Sequence, residues 1–88
     1  MIICAAVRSL DDPRITIGCW RHSIGIEVAF HLGIGLAHLE QGFLNSQGSF
    51  LSRKEAYGEA LRCGQLSATT ISAKEDHLEH ELYSEDLY

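Results

Sequence analysis

The sequence predicts an α+β fold, a small antiparallel sheet made from two short β-hairpins and carrying two helices. Two runs of β-branched and apolar residues flank an Asp-Asp-Pro turn near the N-terminus. A second pair of short apolar runs flanks Asn45-Ser46-Gln47-Gly48. A capped helical segment then begins at Ser52. At 88 residues the chain has room for one small domain.

Residues 2–8 and 14–19 form the first expected hairpin, turned by Asp11, Asp12 and Pro13. The stretch from Ser23 to Ile34 carries two periods at once. Ile24, Ile26, Val28, Phe30 and Leu32 alternate as in a strand, while Ile24, Val28 and Leu32 also recur every four residues as on a helix. Ser23 as N-cap and Gly33 as C-cap favour a helix over 24–32. Gly33 and Gly35 then open a connector that runs to Gln41.

Gly42-Phe43-Leu44 and Ser49-Phe50-Leu51 form the second expected hairpin. Ser52 and Glu55 make a capping box, and Ala56, Tyr57, Ala60 and Leu61 form one apolar stripe. Arg62 and Gly64 close that helix, expected over 53–63. Residues 66–81 are rich in Ser, Thr, Ala and charge, and read as a flexible connector. Leu82, Tyr83, Leu87 and Tyr88 make residues 82–88 a docking segment rather than a free tail.

Composition narrows the function. Seven Lys and Arg face twelve Asp and Glu, a formal charge of −5, which argues against direct binding to nucleic acid through a basic face. A hydrophobic share of 45% suits a globular chain. No apolar run is long enough to span a membrane, and the N-terminus lacks the basic start of a signal peptide, so a cytoplasmic protein is expected. Cys4, Cys19 and Cys63 are odd in number and widely spaced, which fits reduced thiols better than disulfides or zinc. His77 and His80 sit in a charged stretch that matches no paired metal motif. With neither staple expected, association with copies of itself becomes the favoured source of extra stability. No nucleophile elbow, phosphate loop or metal motif is present, so no catalytic activity and no cofactor are expected.

Two small constellations remain. Arg21 and His22 stand between a strand and a helix start, where an anionic group would meet two side-chain donors and the helix N-terminus. The alternative is an Arg paired with a surface acid and a His that caps the helix. Phe50 and Arg53 can supply a ring for a base and a guanidinium for a phosphate. The alternative is a core ring and a solvated first-turn residue. Trp20 reads as a core or interface anchor, and Arg8 and Arg14 as solubilising residues around the first turn. Glu85 and Asp86 can accept hydrogen bonds from a base or ribose, or pair with Arg21 or Arg53.

Gln41-Gly42-Phe43-Leu44, Gly48 to Ala56, Ala60, Gly64-Gln65 and Leu82 to Tyr88 resemble a family of small phage and prophage proteins. That family has a Gly-Phe strand, a Gly-Arg-Phe turn, an Arg-x-Glu-Ala helix start, an Ala-Gly-Gln helix end and a closing Ser-Glu-Asp-Leu segment. The pattern is similar to the first class of Thoeris anti-defence proteins. The resemblance implies an oligomeric α+β sponge in the infected bacterial cell that sequesters cyclic ADP-ribose isomers or cyclic oligonucleotides and breaks no bond. It implies Phe50 as a base-stacking residue and Arg21, His22 and Arg53 as phosphate or ribose contacts. The family's Gly-Arg-Phe turn reads Gly48-Ser49-Phe50 here. The competing class is an anti-CRISPR-type inhibitor, whose acidity would let it occupy the nucleic-acid channel of a host defence protein.

Overall fold

The computed structural model describes residues 1–87. Strands β1 (Ile2–Ser9), β2 (Thr16–Cys19), β3 (Leu39–Asn45) and β4 (Phe50–Ser52) form one sheet in the order β2-β1-β3-β4. Every neighbouring pair is antiparallel. Helices α1 (His22–His31), α2 (Arg53–Arg62) and α3 (Ala68–Asp76) complete the α+β fold, with single 3-10 turns at Leu36–His38 and Ser84–Asp86.

Strand register decides which side chains share a face, because residues directly opposite point the same way. Ala5 faces Cys19 and Phe43, and Val7 faces Ile17 and Gln41. This is the side that both α1 and α2 cover. A Cβ built on Gly25 of α1 would meet Cys19 Sγ at 2.8 Å and Val7 Cγ2 at 3.2 Å. Only glycine lets that helix sit so close. Phe43 packs with Ala56, Tyr57 and Ala60 of α2 and with Leu66 and Leu82 in the core. The opposite face carries Arg8, which pairs with Glu40 at 2.7 Å and lies 4.2 Å over the Phe50 ring.

Several local expectations shift. Helix α1 begins at His22, and Arg21 rather than Ser23 is its N-cap, with no side-chain cap bond. The Arg21 carbonyl accepts from Ile24 N at 3.0 Å, so the first turn starts directly after the β2 exit. The connector expected up to Gln41 ends early, because β3 starts at Leu39 to match the full length of β1, Ser9 opposite Leu39. Pairing along a long partner strand outweighs the weak local signal there.

Residues 66–81, expected as a flexible connector, contain α3. Ser67 caps it by accepting from Thr70 N at 3.1 Å, Ile71 packs against the core, and Lys74 is buried. All three helices end in the same way. The last turn is closed by a residue with positive φ, Gly33 (84°), Gly64 (67°) or Leu78 (54°), and the next N–H reaches back to Ala29, Ala60 or Lys74. The C-terminal segment returns to the core through Leu82, which is fully buried, while Tyr88 lies outside the described residues.

Candidate functional site

Arg21, His22 and Arg53 meet in one cleft of about 260 Å³, lined also by Ser23, Ile26, Gln41, Tyr83, Ser84 and Glu85. Four elements converge on it: the start of α1, strand β3, the start of α2 and the C-terminal 3-10 turn. Arg21 arrives as the α1 N-cap, in extended backbone conformation. With no acidic residue in the first turn of α1, the positive end of the helix is left without a carboxylate of its own.

His22 is buried on the inner side of α1 and lies edge-on to Phe43, ring centroids 5.1 Å apart. Its Nε2 is 2.7 Å from the Gly42 carbonyl oxygen. A carbonyl only accepts, so Nε2 carries the proton and Nδ1 is the acceptor nitrogen of the neutral ring. Burial holds the imidazole below its ordinary pKa, and the nearby Arg53 charge pushes the same way. His22 is therefore neutral at neutral pH, and the positive charge in the cleft comes from the two arginines, with Glu85 at the rim. It does not cap the helix.

Arg53 is held in place from three sides. Its Nη2 donates to Gln41 Oε1 at 2.6 Å, its Nη1 to the Leu82 carbonyl at 3.2 Å, and its guanidinium lies 4.7 Å from the Tyr83 ring centre. The Arg53 carbonyl in turn accepts from Leu82 N at 2.9 Å. A guanidinium carries more N–H groups than these two bonds use.

The wall formed by Tyr83 and Ser84 is anchored from behind. Lys74 Nζ lies 2.9 Å from Asp86 Oδ2, 2.9 Å from the Glu81 carbonyl and 4.9 Å from the Tyr83 ring centre. Asp86 Oδ2 also accepts from Tyr83 N at 2.8 Å.

Some expectations are corrected here. Phe50 does not line the cleft. Its ring serves as a platform for Arg8 on the other sheet face, because Phe50 opposes Leu44 while Arg8 opposes Glu40 on that same side. Arg8 is thus a packing partner as well as a charge, whereas Arg14 pairs only locally with Asp12. Asp86 pairs with Lys74 rather than with Arg21 or Arg53, while Glu85 does reach the cleft rim. Trp20 is 65% exposed and anchors no core. His77 and His80 are exposed, and among the described residues no cluster of three or more His, Cys, Asp or Glu is gathered for a metal ion.

Sequence reasoning missed Gln41, Tyr83 and Ser84. The signal lay in the docking segment: a terminus that returns to the core beside Arg53 must bring its own polar groups to that junction.

Among the described residues no helix is long and apolar enough to cross a membrane. Comparison with curated proteins and with solved structures returns no match. A family model described as phage T4 y16D protein matches residues 1–88.

Proposed function

The chain belongs to the phage T4 y16D protein family, and from this phage membership together with the cleft we propose that it sequesters a cyclic nucleotide immune signal of the infected cell without cleaving it. The observation that carries the reading is the convergence of Arg21, Arg53 and the uncapped α1 N-terminus on one cleft. Two guanidiniums and a helix N-terminus without a side-chain cap suit a phosphate or pyrophosphate. Ser23, Ser84 and Glu85 offer hydroxyl and carboxylate partners for ribose, and Ile26 and Tyr83 add apolar surface. A net charge of −5 means that attraction comes from this local cluster rather than from the whole surface.

The cleft lies near the lower end of small-molecule sites, about 300 Å³. It holds a phosphate and its ribose, with the base at the open mouth. Arg53 is already braced by Gln41 and Leu82, so little ordering remains to be done when an anion arrives.

The test is calorimetric titration with cyclic ADP-ribose isomers and cyclic di- and trinucleotides. The expected result is a dissociation constant below about 1 µM for one of them, near −8 kcal/mol. The ligand should be recovered intact after heat denaturation. Arg21→Ala should weaken binding at least about 10-fold, and Phe50→Ala should leave it unchanged. Absence of binding to every probe rejects the reading. The acidic run of Glu75, Asp76, Glu79 and Glu81, all exposed, favours a second reading, an inhibitor that covers a basic nucleic-acid channel of a host defence protein. Displacement of that protein's nucleic acid in a competition assay, without nucleotide binding, would select it.

A further inference from the structure

We propose that the open edge of β2 and the outer flank of α1 together form a two-fold interface, through which a second copy of this chain continues the sheet. The inference is independent of any ligand in the cleft.

Strand β2 ends the sheet order, so it pairs with β1 on one side only. Its residues Thr16, Ile17, Gly18 and Cys19 carry no charge and no proline, the usual means of protecting an edge from another strand. An antiparallel pair of identical strands is self-complementary about a two-fold axis, so one patch serves both copies.

Helix α1 extends the same edge. Gly25 and Ala29 point at the sheet, with Gly25 against Cys19 and Val7. Ile26, on one flank, lines the cleft together with Gln41 and Arg53. At 100° per residue, Ile24, Val28 and Leu32 fall on the other flank, away from β3 and α2 and therefore beyond β2. They are 49%, 42% and 63% exposed. Together they present roughly 300 Å² of apolar surface per copy, the lower end for the largest patch on a typical monomer and less than half of what each partner buries in a standard interface. The strand edge supplies main-chain hydrogen bonds in addition. Glu27 and His31, both exposed, form a polar rim.

A second copy fits this surface better than an unrelated partner. The strip joins a bare strand to an apolar helix flank within one continuous segment, residues 16–32, and rotation by a half-turn sets strand on strand and flank on flank. The patch also holds few of the acidic residues that give each copy its charge of −5, so the mutual repulsion is carried elsewhere.

The experiment is sedimentation of the full chain from about 1 to 100 µM, with circular dichroism as the check on folding. The expected result is a dimer. Ile24→Asp and Val28→Asp should each raise its dissociation constant at least about 10-fold while the helical signal is retained. Phe30→Asp, at a more exposed position on the cleft-side flank, should not change it. Amide hydrogen exchange in β2 should slow with protein concentration in the wild type. A monomer throughout the range overturns the proposal. So does a dimer that survives Val28→Asp or whose β2 amides exchange at a concentration-independent rate.

Discussion

The two halves of the helical layer are built differently. The α2 half is closed. Ser52 and Glu55 cap α2 reciprocally, and Ala56, Tyr57 and Ala60 press on Phe43. Leu66 and Leu82 seal the edges, and Lys74 ties the terminus through Asp86. The α1 half is open. Its N-cap makes no side-chain capping bond, and it buries only His22, Gly25 and Ala29. Ile24, Val28, Phe30 and Leu32 all face outward. Stability is therefore concentrated in the half that holds the terminus in place. The bare apolar edge belongs to the half that spends less surface on its own core, and the cleft lies where the two halves meet. Small domains have little apolar area to distribute, so an element that reserves its surface for binding is bound to be the weaker one.

Truncating one apolar side chain in each half should give the largest difference between them. Leu82→Ala empties a fully buried site and is expected to cost about 3–4 kcal/mol in urea unfolding. Val28→Ala, at a half-exposed position, should cost about 0.5 kcal/mol or less when the monomer is measured in dilute solution. Equal losses would mean that α1 is as much a core element as α2. Next comes Lys74→Met, expected to cost about 2–3 kcal/mol because it removes the cation that satisfies Asp86 and the Glu81 carbonyl inside the fold. That variant should also weaken nucleotide binding in the calorimeter, since it loosens the Tyr83 wall without touching ligand. A variant that is destabilised yet binds at full strength would separate the terminus from the cleft.

The caps give a smaller and more pointed contrast. Ser52→Ala removes one side of the box on α2 and should cost about 1 kcal/mol. Arg21→Asp does the reverse on α1. It supplies a side-chain cap and a favourable charge at the helix start, and should raise the urea midpoint by an amount worth about 0.5–1 kcal/mol. The same change should abolish anion binding. Gain of stability with loss of binding is the behaviour of a residue kept for its ligand. Loss of both would assign Arg21 to the fold.

How far the sequence could be read follows the same division. The capping box, the stripe Ala56-Tyr57-Ala60 and the Gly64 stop are local signals, and α2 is legible from them. Helix α1 sent mixed signals for a physical reason: its large apolar residues point outward and its sheet-facing residues are small, so apolar spacing does not mark its core face. Helix α3 was missed because within it a single apolar residue, Ile71, packs on the core, while polar ties hold the rest: the Ser67 cap, the buried Lys74 and the Tyr57 hydroxyl donating to Glu75. Arg21, His22 and Arg53 were legible as candidates from their place at strand–helix junctions. That they share a cleft was not, because their meeting depends on β3 pairing beside β1 and on the return of the C-terminus. The pairing of Phe50 with Arg8 is likewise a matter of sheet register, which the two separate hairpins did not specify.

The smallest effect belongs to His22, and its sign can be worked out. The folded chain holds this imidazole below its ordinary pKa, chiefly by burial. The unfolded chain protonates it near the ordinary value of about 6.5. As pH falls through 6.5 the unfolded state takes up the proton first, and stability declines from there down through the folded value; above 6.5 the contribution of the neutral, buried ring is complete. The carboxylates held low in the fold, Glu59 by the N-terminal amine and Glu55 by the Ser52 amide and hydroxyl, give up their contributions only in more acid solution. In the window between them the N-terminal amine, held above its ordinary value chiefly by Glu59, contributes with the opposite sign as pH rises, so the His22 variant is the control that separates the two. Urea midpoints at pH 7.5 and 5.5 should differ in the wild type and converge in His22→Gln, whose amide can still donate to the Gly42 carbonyl but does not titrate. An unchanged difference in the variant would place the acid sensitivity elsewhere. It would also remove the reason for treating His22 as the neutral donor that fixes the start of α1 against β3.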